Sequence, residues 1–401
     1  MLVAADEPHT LREKEEQEQD GEVLRLSDRF AHEITSRTQD RVFYHVREVR
    51  AVLMNEPAEK PVAPPELVKP ADSIGHGELA RASEPAPAPE KSLPEFLFLG
   101  PQGVRLGWRI VLYLVLAFLM ERVFSWLGES IFPNPHGAAL LWQKLYTECA
   151  LMASVFLPAV LMARIERRTF DDYGLPRQEA FRRNFWMGMV WGFVAITALL
   201  VLMYIAGAYS FGRLALHGDR IARFALFWGV FFLAVGFFEE FLLRGYLLFA
   251  IAERAGFWKP AIFLSALFGA IHLANEGETW IGAVGAALIG LFFCLTLRRT
   301  GSLWFAVGFH ASWDWGETFF YGVPNSGTTE SGHLLSPTLH GKVWLSGGTV
   351  GPEASVMLLV VLAVMWVVFH RQYREARYLP PGWNARLNES GDKVVSSLRS
   401  E

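Results

Sequence analysis

The chain has 401 residues, of which 52% are hydrophobic, 14% aromatic and 19% charged, with a formal net charge of −4. The charges are unevenly placed, so their distribution carries more information than their sum, and no nucleic-acid partner is expected. The two cysteines, Cys149 and Cys294, lie in apolar stretches without a C-x-x-C neighbourhood. That spacing excludes a zinc knuckle or a thioredoxin-type site, and both are read as small buried hydrophobes.

Composition changes sharply near residue 100. Residues 1–55 form a charged cytosolic segment, either a loosely amphipathic helix over Val23–Met54 or a solvated, mostly disordered tail. No apolar core of signal-peptide length opens the chain, so its first span is expected to act as an uncleaved insertion signal. Residues 56–100 are rich in Pro, Ala and Glu, which suits an extended linker.

From residue 101 to about 375, apolar segments follow one another at 106–126, 141–163, 185–207, 222–250, 260–274, 281–297, 302–321 and 353–370. A span needs about 20 mostly apolar residues to cross a hydrocarbon core of about 30 Å. The expected fold is therefore all-α: a polytopic membrane protein with about eight transmembrane helices, the fifth segment being short for a full crossing. The lipid bilayer is its surroundings.

Basic residues orient the spans. Arg164, Arg167, Arg168, Arg177, Arg182 and Arg183 follow the second segment; Arg254 and Lys259, then Arg298 and Arg299, occupy the corresponding later turns. The opposite loops hold Pro133–Gly137, Glu276–Thr279 and the Gly/Ser/Thr-rich stretch 322–352. This pattern places both termini in the cytoplasm, in a bacterial inner (plasma) membrane, with residues 376–401 as a cytosolic tail.

Three polar constellations interrupt the apolar segments. Glu239, Glu240 and Arg244 occur within two turns of one span, where an ionisable residue costs roughly 2.5–3.5 kcal/mol on insertion scales. Glu240 and Arg244 share a helical face and can pair, whereas Glu239 points about 100° away. One neutralised carboxylate and one free one suit general acid–base chemistry, although the trio also reads as a salt-bridge cluster fixing helix packing. The second constellation is Phe268 with His272, which taken alone reads as a core histidine. The third is His310 with Asp314, again at i,i+4, either a buried pair or a carboxylate-oriented imidazole. Taken together, these groups have no obvious partners except one another, and a single water-accessible cavity would satisfy them all.

These motifs resemble the CPBP family of intramembrane endopeptidases, which includes the type II CAAX prenyl proteases and bacteriocin-processing or immunity proteins. E-E-x-x-x-R matches Glu239, Glu240 and Arg244; F-x-x-x-H matches Phe268 and His272; H-x-x-x-N or H-x-x-x-D matches His310 and Asp314. The similarity spans about 222–320 and covers nothing before residue 100. The resemblance implies hydrolysis of peptide bonds in membrane-embedded or lipid-anchored substrates by a glutamate-activated water. It makes Glu239 the general base and His272 its helper in positioning water, with His310 and Asp314 stabilising the oxyanion. The prenyl-protease members carry Asn at the last position. An ionised carboxylate only accepts hydrogen bonds, so here Asp314 polarises His310 and His310 is the donor.

A zinc-dependent intramembrane metalloprotease is the alternative within this class, with Glu239, His272 and His310 as ligands. Against it, H-E-x-x-H is absent and adjacent glutamates diverge on a helix; the expectation is a metal-free site without cofactor. The rival of a different class is a non-catalytic immunity or scaffold protein, or a transporter. No internal repeat of the transporter kind is visible.

Overall fold

The computed structural model describes residues 98–100, 103–133, 138–275 and 277–378. The charged segment 1–55, nearly all of the linker 56–100 and the tail after residue 378 lie outside the described residues. Of the described residues, 98–133 and those from 142 onward fall in one compact unit, which carries the polar constellations.

Each expected apolar segment is helical. The helices are α1 (Leu106–Ile131), α2 (Ala138–Ile165), α3 (Arg183–Ile205), α4 (Asp219–Arg244), α5 (Tyr246–Ala255), α6 (Trp258–His272), α7 (Trp280–Thr300), α8 (Trp304–Trp315) and α9 (Val356–Gln372). A π-helical stretch, Gly316–Tyr321, continues α8. Among the described residues, strands form two antiparallel ribbons, β1 (Leu99–Gly100) with β2 (Gly103–Val104) and β3 (Tyr209–Leu214) with β4 (Leu335–Leu339). The all-α class holds.

Among the described residues, five helical runs are long and apolar enough to cross a membrane: α1, α2, α3, the α4–α5 run of 37 residues, and α7. Helix α6 has 15 residues and α9 has 17. A 15-residue helix rises only about 22 Å, short of a core of about 30 Å. The eight expected segments are therefore five full-length helical runs and three shorter apolar helices. The single span expected over 222–250 also breaks, at Gly245, directly after Arg244. A Cβ at Gly245 would lie 2.5 Å from the Phe241 carbonyl oxygen, so this bend needs glycine.

Large apolar side chains cover the outside. On α1, Val111, Val115, Phe118, Leu119, Val123 and Trp126 are all exposed. So wide an exposed apolar surface along one helix has no stable place in water and suits lipid. The chain is an integral membrane protein. Cys294 is buried as expected, but Cys149 is exposed on α2; an apolar helix facing lipid buries nothing on its outer side.

Two devices lock the helices. Gly188 and Gly192, four apart on α3, allow backbone contact with α8: added Cβ atoms would lie 2.1 Å from Phe305 O and 2.2 Å from Phe309 O. Gly308 returns the contact, its Cβ falling 2.2 Å from Phe185 O. Small residues at this spacing let membrane helices approach closely, and the crossing fixes the turn that carries His310. The second device is ionic. Arg109 on α1 binds Glu166 at 2.6 Å and Glu253 at 3.0 Å. The Tyr173 and Tyr246 hydroxyls donate to Glu166 at 3.0 and 2.5 Å, and Arg168 binds Glu253. This network joins α1, α5 and the end of α2, and every charge in it has a partner.

Candidate active site

Helix α4 places Glu239 and Glu240 one residue, hence about 100°, apart, and their surroundings differ accordingly. Glu240 is fully buried. Its Oε1 accepts from Arg244 Nη1 at 3.0 Å, one turn along, and from His310 Nδ1 at 2.9 Å, across the helix interface on α8. Glu239 keeps 30% of its side chain exposed and makes no hydrogen bond among the described residues. Its Oε2 lies 3.6 Å from His310 Nε2.

Arg244 is held by aromatic faces as well as by Glu240. Its guanidinium carbon lies 4.7 Å from the Phe268 ring centroid and 5.6 Å from that of Phe293. Such desolvated cation–π contacts are worth up to about 2 kcal/mol. Gly290 on α7 leaves the necessary room, since a Cβ there would lie 2.4 Å from Arg244 Nη2. Phe268 thus supports Arg244 and, through its backbone, His272: its carbonyl oxygen accepts from His272 Nδ1 at 2.8 Å. A carbonyl only accepts, so Nδ1 carries the proton and the lone pair of neutral His272 is on Nε2.

The same reasoning fixes His310. Its Nδ1–H is given to Glu240, leaving Nε2 between Glu239 Oε2 at 3.6 Å and Asp314 Oδ2 at 3.4 Å. Sequence spacing assigns the ring's orientation to Asp314; the structure adds Glu240, 70 residues away in the chain, as the hydrogen-bonded partner.

Glu239, His272, His310 and Asp314 all line one cavity of about 470 Å³. Glu240 and Arg244 sit behind this wall, fully buried. The wall also includes carboxylates that sequence reasoning did not single out: Glu148 on α2, Glu278 before α7, and Glu353 before α9. Glu148 carried the same signal as Glu239, an acid inside an apolar span; Glu353, at the very edge of the segment 353–370, did not stand out. Lys144, the cavity's lysine, is ion-paired with Glu330. Glu278 stands outside the spans, and burial pushes its carboxyl above the usual range.

Glu239, His272 and His310 do not form a tight ligand set. Among the described residues, the three side chains whose ligand atoms lie within 4.8 Å of one another are Asp314, Glu317 and Glu353. The donors expected for zinc therefore do not fit a tetrahedral ion as placed.

Residues 221–316 match the family model described as type II CAAX prenyl endopeptidase Rce1-like. This segment is similar to the Rce1-like domain. No curated protein and no solved structure matches the chain. The match covers about a quarter of the sequence, from the first turn of α4 to the end of α8. All seven motif residues fall inside it.

Proposed function

We propose that the protein is an intramembrane endopeptidase in which Glu239 activates the attacking water. The observation that carries this reading is the division of the glutamate pair. Glu240 is committed to Arg244 and His310, while Glu239 faces the cavity without a hydrogen-bonded partner.

Water held against Glu239 and the Nε2 lone pair of His272 loses a proton to Glu239 as it attacks the scissile carbonyl carbon. His310, doubly protonated, has its charge met by Glu240, Glu239 and Asp314 and offers Nε2–H to the developing oxyanion. Glu239 then returns the proton to the leaving amine as the C–N bond breaks. The products are a carboxylate and an amine, and Glu239 is regenerated. Asp314 accepts only, so it orients and polarises His310. The reaction is metal-free in this reading, supported by the spread of Glu239, His272 and His310. The site residues sit within apolar helices, so substrates are membrane-embedded or lipid-anchored polypeptides. The basic loops support a cytoplasmic position for both termini.

The test is a proteomic comparison of membranes carrying the wild-type protein or Glu239→Ala. The expected result is at least one membrane-protein cleavage product missing with the variant. Identical product sets would favour a non-catalytic scaffold or a transporter and overturn the proposal.

A further inference from the structure

One acidic cluster extends the cavity beyond the residues used for peptide hydrolysis. Asp314 closes α8, Glu317 follows in the π-helical stretch, and Glu353 arrives from the turn before α9. One carboxylate oxygen from each lies within 4.8 Å of the others. Asp314 and Glu353 line the catalytic cavity, whereas Glu317 and Glu353 fall outside the Rce1-like match.

Glu353 is well served: its Oε1 accepts from Trp313 Nε1 at 3.3 Å, and its Oε2 from Ser326 N and Oγ at 3.1 and 2.9 Å. Glu317 is not. It is fully buried, and neither carboxylate oxygen has a hydrogen-bond donor among the described residues. The indole N–H beside it is the one committed to Glu353. Thr318 Oγ1, the next side chain, is also buried without a partner and lines the cavity. No Lys or Arg among the described residues pairs with the trio; the basic side chain ion-paired with it there is His310, 3.4 Å from Asp314.

Three converging carboxylates, one of them buried and unpaired, repel one another strongly unless positive charge lies among them. We propose that Asp314, Glu317 and Glu353 bind a hard divalent cation, calcium foremost, next to the catalytic cavity. Oxygen-only ligands select hard cations over zinc or copper. Carboxylates of variable denticity supply the six to eight oxygens that calcium takes, more readily than the rigid octahedron magnesium demands. Bound there, the ion would hold Asp314 in place beside His310. The site goes beyond the proposed peptidase chemistry and does not depend on it.

Terbium serves as the probe because Trp313 adjoins the site and can sensitise its emission. Full-length protein in detergent is titrated with Tb3+ under indole excitation, then with Ca2+. The wild type should give saturable emission that Ca2+ displaces, and Ca2+ should raise its Tm. Glu317→Gln should weaken Tb3+ and Ca2+ binding by at least about tenfold and lose the Tm shift while staying folded. Trp313→Phe should lose the emission yet keep the Ca2+-dependent Tm shift. Emission unchanged in Glu317→Gln, emission retained in Trp313→Phe, or no Ca2+-displaceable phase in the wild type would each overturn the proposal. The last outcome would mean that the carboxylates share protons instead. Binding is read without any cleavage, so loss of peptidase activity in other variants leaves this test intact.

Discussion

Phe268 lies beneath Arg244, with 4.7 Å between the ring centroid and the guanidinium carbon. The contact joins two motifs that are separate in sequence: the aromatic residue of F-x-x-x-H supports the arginine of E-E-x-x-x-R. Because the Phe268 carbonyl also takes the Nδ1–H of His272, one residue fixes both the pairing of Glu240 and the tautomer of His272.

Phe268→Leu should therefore act on stability and activity together. It keeps the apolar volume and the backbone carbonyl but removes the π-face, so stability should fall by about 1–2 kcal/mol. Thermal unfolding in detergent measures this. A Tm equal to that of the wild type would show that the ring contributes volume alone.

The two glutamates should respond oppositely to the same change. Glu240→Gln leaves Arg244 as a buried, uncompensated cation, for which breaking a pair costs about 3–5 kcal/mol. Glu239→Gln lies on the cavity wall and should shift stability by no more than about 0.5 kcal/mol. Denaturation midpoints of the two variants, measured side by side, check the contrast. Equal destabilisation would contradict the division of roles.

Gly192→Ala tests the crossing that positions His310. Its Cβ would fall 2.2 Å from Phe309 O and 2.3 Å from Ser312 Oγ, so α3 and α8 must move apart. Overpacking of this kind costs about 1–3 kcal/mol, and displacement of His310 should lower kcat more than it raises KM. Normal kcat with normal stability would mean that the crossing tolerates the methyl group.

Glu278 sets a pH-dependent term. Burial raises its folded-state pKa, so this residue favours folding below the unfolded pKa and loses that contribution as pH rises through the folded value. Glu278→Gln should therefore be more stable than the wild type at neutral pH, and the difference should vanish in acid. The glutamine carbonyl still accepts from Thr279 N–H, so that bond is preserved. Parallel melting curves across pH check the sign; a difference that grows toward acid would contradict it.

Most of the helical plan was legible because apolar runs of spanning length have few other stable outcomes. The i,i+4 pairing of Glu240 with Arg244 was legible for the same local reason, and the structure places it at 3.0 Å. What could not be read were the relations between helices. The bond from His310 to Glu240 joins α8 to α4 and depends on the glycine crossing with α3, which periodicity does not register. The break at Gly245 was hidden because an apolar run continues through it. Glu317 was visible as an acid in an apolar span, but its meeting with Glu353 depends on the fold of the loop 322–352. Cys149 was misplaced because an apolar neighbourhood in a membrane protein points to lipid as readily as to a core.

The central claim is that Glu239 is the base that activates water. Its most direct test is the cleavage rate of a membrane substrate by purified wild-type protein and Glu239→Gln in the same liposomes, with unfolding midpoints measured on both. A loss of about 10²–10⁴-fold in kcat with an unchanged midpoint is the predicted result. Cleavage by Glu239→Gln at the wild-type rate would contradict it.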